Sequence, residues 1–116
     1  MTERGTKCCL SRHYNYINSL AFGGRLPKAV FHVLDNGGLA TAEIRCRYGD
    51  DGKERAVRAI ICVHPKLIWS QKLVIRELLH EMIHVAFPKW EHGPRFEREI
   101  FRVRRLMLAQ GTDVLF

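Results

Sequence analysis

No stretch of this 116-residue chain is apolar over anything close to the ~20 residues that a bilayer-spanning helix needs. The opening residues, "MTERGTKCCLSRHYNY", lack the apolar core of a secretory signal. A cytoplasmic setting is therefore expected. The four cysteines, Cys8, Cys9, Cys46 and Cys62, include no C-x-x-C pair, so a zinc ribbon is not indicated. In a reducing compartment they read as free thiols. Cys46 and Cys62 fall in apolar strand patterns and are expected to pack as small hydrophobes. Cys8 and Cys9 receive no role. No internal repeat and no linker divides the chain. One domain is expected over residues 11–116, after a flexible N-terminal tail of residues 1–10, with a monomer favoured.

What is present is enough for a packed core. Hydrophobic residues make up 47% of the chain and charged ones 27%, which fits a soluble globular domain. The formal net charge is +7, and this basic balance admits a nucleic-acid partner.

Ser11 is placed to cap a helix through "RHYNYINSLAF", with Tyr14, Ile17, Leu20 and Ala21 on one apolar face. Gly23 and Gly24 end it, and Pro27 follows. "KAVFHVL" reads as a strand, and "NGG" at 36–38 as a turn. "LATAEIRCRY" and "RAVRAIICV" flank "GDDGKE", a hairpin pattern. "HPKLI" reads as a connector with a short helical turn. Residues 71–87 form the longest helical pattern, apolar around most of its circumference and stopped by Pro88. Pro94 opens a last helix, with Phe96, Ile100, Val103, Leu106 and Met107 inward and Gly111 at its end. The order α-β-β-β-α-α predicts an α+β domain with helices against a small sheet.

The central helix carries "LLHEMIHVAF". His80 and His84 stand one turn apart, about 40° around the helix axis. Two imidazoles so placed can share one Zn²⁺ at ~2.0–2.1 Å. Glu81, rotated about 100° from His80, reaches a water beside the metal rather than the metal itself. H-E-x-x-H metallopeptidases use that glutamate as general base. The competing reading is a buried helix with incidental polar groups. It must bury two histidines and a glutamate without partners, which costs several kcal/mol. A catalytic zinc also needs a third protein ligand and an open position. His92 leads, since Pro88 lets the chain turn back and Gly93 allows a tight turn. Glu91, Glu97 and Glu99 are rivals, although Glu97 and Glu99 face outward if Phe96 and Ile100 face in. His32 and His64 read as satisfied core histidines.

Three stretches resemble the SprT-like metallopeptidase domain, the family of bacterial SprT and the eukaryotic protease Spartan. "YNYINSLAFGGRLPKAVFHV" is similar to its first helix, glycine turn and first strand. "ICVHPKLI" is similar to its strand-to-helix connector. "VIRELLHEMIHVAF" followed by "HGPRF" is similar to its site. The resemblance runs from about Tyr14 to Val103 and implies a compact zincin fold. It implies one Zn²⁺ held by His80, His84 and His92, with Glu81 as base. It also implies a protein or peptide substrate, with proteins crosslinked to DNA as the class cleaved by well-understood members. The spacer "VAFPKWE" is shorter than the family's, which trims the loop shaping the cleft. No ribbon or DNA-binding appendage is expected. The alternative reading is a non-catalytic, zinc-stabilised module that binds DNA or protein.

Tyr14, Tyr16, His64 and Arg95 are candidates to stabilise the oxyanion. "KAVFHVL" or the 39–48 arm could bind an extended substrate by strand addition. Arg45, Arg47, Arg98, Arg102 and Arg105 are candidate phosphate contacts, among a wider set that includes Arg55, Arg58, Arg95 and Arg104. Trp69 and Trp90 could stack on bases, though Trp90 sits better at the cleft, lining it or packing beneath it.

Overall fold

The computed structural model describes residues 3–35 and 40–111. Its elements are α1 (Glu3–Phe22), β1 (Lys28–Val33), β2 (Ala40–Tyr48), β3 (Glu54–Val63), a 3-10 turn (Pro65–Trp69), α2 (Gln71–Ala86) and α3 (Pro94–Ala109). The expected α-β-β-β-α-α order is the observed one. The "NGG" turn lies outside the described residues. No helix among the described residues is long and apolar enough to cross a membrane.

Helix α1 differs from expectation at its start. It begins at Glu3, so Ser11 lies inside the helix rather than capping it, and residues 3–10 are helical. The physical reason is the apolar face: Leu10 continues the stripe of Tyr14, Ile17 and Ala21 one turn earlier and is fully buried. The exit is as read. Gly23 and Gly24 have φ of 60° and 74°, the left-handed region that glycine enters without steric cost.

The next turn is held from inside the helix. The Asn18 side chain accepts from the Leu26 N–H at 3.0 Å and donates to the Leu26 carbonyl at 3.3 Å. The Tyr14 hydroxyl donates to the Pro27 carbonyl at 2.5 Å. These bonds satisfy buried polar groups and aim the chain into β1.

The sheet order is β1-β3-β2. β1 runs parallel to β3, from Lys28 opposite Arg58 to Val33 opposite Val63. β2 and β3 form the expected antiparallel hairpin, with its register broken between Arg45 and Cys46. Phe31, Ala59, Ile61 and Val63 point into the core, where α1 covers β1 and α2 covers β2. β2 is therefore an edge strand under the central helix. Beyond the break the alternation fails, and Cys46 is exposed rather than packed as expected.

Helix α2 is capped by the Ser70 hydroxyl, which accepts from Leu73 N–H. Val74, Ile75, Leu78, Leu79, Met82, Ile83 and Val85 are buried on it, so this helix is the centre of the core. Leu73 is exposed in the first turn. Helix α3 starts at Pro94 and buries Phe96, Val103 and Met107. Its Arg102 donates to the Ala21 carbonyl at 2.8 Å and pairs with Glu99, which ties α3 to the end of α1.

Candidate metal centre and active site

α2 presents His80 and His84 on one side, half-buried, one turn apart. Pro88 ends the helix, and the chain returns through "KWEHG" to bring His92 over the same point. His84 Nε2 lies 3.1 Å from His80 Nε2 and 2.9 Å from His92 Nε2. These three form a group whose donor atoms all fall within 4.8 Å of one another, the metal-capable cluster among the described residues. Glu91, Glu97 and Glu99 do not join it.

The rings rest on a common floor. The Phe96 ring centroid is 4.9 Å from that of His80, 4.8 Å from His84 and 5.0 Å from His92. Phe96 is 2% exposed, so its position is fixed by the core. The sequence marked it as a core residue, not as the support of all three imidazoles. The signal available was its place four residues after His92 in "HGPRF".

This donor set fits one Zn²⁺. Donors around a tetrahedral zinc at ~2.0–2.1 Å stand roughly 3.3 Å apart, close to the spacings observed. A proton on one ring satisfies one neighbour at most, while a cation satisfies three converging lone pairs. Burial, then the charges of His84 and His92, push the His80 pKa down to about 4. Burial, then His92, lowers His84 as well. At neutral pH both rings are thus neutral imidazoles, the form that ligates metal. His92 is exposed, which leaves one side of the cluster open.

That open side faces a cleft of about 670 Å³, lined by His80, Glu81, His84, Pro88, His92 and the β2 residues Ala40 to Ile44. Of the two strands considered for substrate, β2 is the one at the site; β1 is the far edge of the sheet. Glu81 is 5% exposed. Burial, with Glu77 adding repulsion, pushes its pKa up to about 7. A carboxylate so placed can hold or release a proton near neutrality.

No family model, curated protein or solved structure matches this chain. The assignment therefore stands on geometry. Three histidines, an open side and a buried glutamate next to the first ligand are consistent with a catalytic zinc metallopeptidase site in a zincin-type α+β domain.

The remaining candidates sit elsewhere. Tyr14 is spent on the Pro27 carbonyl. His64 Nδ1 accepts from Lys66 N–H at the 3-10 turn, and its Nε2 is 3.5 Å from Asp35. Arg95 lies over the Trp90 ring at 4.5 Å, and Trp90 stacks on Phe87 at 3.8 Å. None of Tyr14, Tyr16, His64, Arg95 or Trp90 lines the cleft. Gly93 has an extended backbone, φ 169°, and a Cβ there would meet nothing within 4 Å. Its expected tight turn is not what brings His92 back; the Pro88 break does that. Arg45 and Arg47 lie on the hairpin, Arg98 and Arg105 on the exposed side of α3. The side chains of Cys8, Cys9, Arg55 and Trp69 lie outside those described.

Proposed function

We propose that the protein is a zinc-dependent endopeptidase of the SprT-like kind. The observation that carries this is the convergence of His80, His84 and His92 beside buried Glu81 at the floor of a cleft. In this reading the three histidines hold one Zn²⁺. When bound, the ion supplies Lewis-acid chemistry, polarising a carbonyl and acidifying a water. Glu81 takes the proton of the attacking water and returns it to the leaving amine. Its raised pKa suits both halves of that transfer. The edge of β2 receives the substrate as an added extended strand, which holds the chain across the cleft. A purely structural zinc site has no use for a buried carboxylate at this position, which counts against a non-catalytic module.

Proteins associated with or crosslinked to DNA are the substrate class that the family resemblance suggests. The basic balance supports it, as do Arg98 and Arg105, exposed on α3. Arg102, turned onto Ala21 and Glu99, supports it less. The test is Glu81→Gln, with zinc content and cleavage of an unfolded protein measured together, with and without DNA. Zinc retained and cleavage lost is expected. Cleavage at the parent rate overturns the proposed role of Glu81.

A further inference from the structure

The strand that walls the cleft runs on past it. The β2 wall of the cleft runs from Ala40 to Ile44. The next residues of the same strand, Arg45 and Arg47, line a second hollow of about 410 Å³ together with Val57 and Arg58. Arg45 stands directly opposite Arg58 on β3. Like charges opposed across strands are destabilising. The register there passes from Arg45 opposite Arg58 to Cys46 opposite Ala56, so Val57 is the extra residue of a bulge. Bulges redirect side chains, and here Val57 is exposed within the hollow that the three arginines surround.

Among the described side chains, Glu43 approaches this group. It lies 3.4 Å from Arg45, with both side chains mostly exposed, so the pair is weak. At the hairpin tip, Asp51 accepts from Lys53 N–H.

We propose that Arg45, Arg47 and Arg58 form an acid-selecting patch farther along the β2 edge, drawing polypeptides that carry aspartate or glutamate on one flank of the cleaved bond. This rests on the peptidase reading above. A chain added to the β2 edge places its side chains beside those of Arg45 and Arg47 as cross-strand neighbours. Glu43, on the cleft wall, repels an acidic residue closer in. Counting from the middle of that wall at one residue per strand position, the favoured acids fall about three to five residues from the bond. A nucleic acid has no strand edge to pair with β2, so the place of Arg45 and Arg47 on the same edge strand as the cleft wall favours a peptide occupant.

The test uses peptides of one core sequence with Glu-x-Glu or Lys-x-Lys on either flank. Cleavage is measured with the parent protein, and binding by anisotropy with zinc-loaded Glu81→Gln. The acidic peptide is expected to win by roughly three- to tenfold on one flank, through KM and affinity. The double variant Arg45→Glu, Arg47→Glu is expected to prefer the lysine peptide. Equal treatment of both peptides overturns the proposal. So does a double variant that keeps the parent's preference and loses only retention of a single-stranded oligonucleotide. If no peptide is cleaved, yet the acidic one binds Glu81→Gln more tightly, the acid-selecting surface stands and the peptidase reading falls.

Discussion

The Nε2 atoms of His84 and His92 lie 2.9 Å apart, although Pro88 breaks the helix between them. The break is what makes the contact possible, because a continued helix would carry residue 92 two turns up the axis. His84 and His92 therefore belong to one donor set only in the folded chain.

Removing His92 should cost metal binding and leave the fold. It is exposed, and the core beneath it is Phe96. His92→Ala is expected to keep its helical circular dichroism and to lose more than about 100-fold in zinc affinity, since even outer partners of ligands are worth 10–100-fold. Competition with a chromophoric chelator measures this. Unchanged affinity would assign the third ligand elsewhere.

Phe96 should act on both stability and metal. Phe96→Ala is expected to cost about 3–5 kcal/mol, as for other buried aromatics. Phe96→Leu keeps the core filled and loosens the rings, so zinc affinity should fall by about tenfold. A leucine variant with parental zinc affinity would show that the imidazoles are positioned without the ring.

Much of this was legible before the fold. H-E-x-x-H at 80–84 is local chemistry on a strongly apolar helix, and the Pro88 break followed by Pro94 marks the two helix ends flanking His92. The placing of β2 at the cleft was not legible. It depends on β1 pairing with β3 across some thirty residues, which no local pattern encodes. Cys46 defies its apolar strand pattern because it lies past the Ala40–Ile44 stretch that lines the cleft, where residues 45, 46 and 47 are all exposed. The start of α1 is not legible because residues 2–7 are polar or glycine, and Leu10 joins the helical stripe only once the core covers it.

The pH dependence of the metal-free protein should separate Glu81 from His80. Glu81 is raised from 4.5 to about 7, by burial first and then by Glu77. The folded state then holds a proton that the unfolded chain has lost. Its contribution to stability is full below about 4.5 and is lost as pH rises through about 7. His80 is lowered from 6.5 to about 4, by burial first, so its contribution is present above 6.5 and lost as pH falls through about 4. Glu81→Gln removes only the first. In chelator-treated samples the variant should gain on the parent between pH ~4.5 and ~7, by up to roughly 3 kcal/mol. Urea unfolding at several pH values reads the difference, and a flat difference contradicts it.

Tyr14 should matter to the fold and not to the chemistry. Tyr14→Phe breaks the bond to the Pro27 carbonyl and is expected to cost about 1–3 kcal/mol, because that buried acceptor loses its donor. Cleavage per folded molecule should be unchanged. A drop in kcat at equal folded fraction would return Tyr14 to the list of oxyanion donors.

The most direct test of the account is calorimetric titration of Zn²⁺ into chelator-stripped protein at neutral pH, beside His84→Ala. One saturable site per chain in the parent, absent from the variant, is the predicted result. No saturable binding in the parent, or equal binding in both, would contradict a metal centre built on His80, His84 and His92.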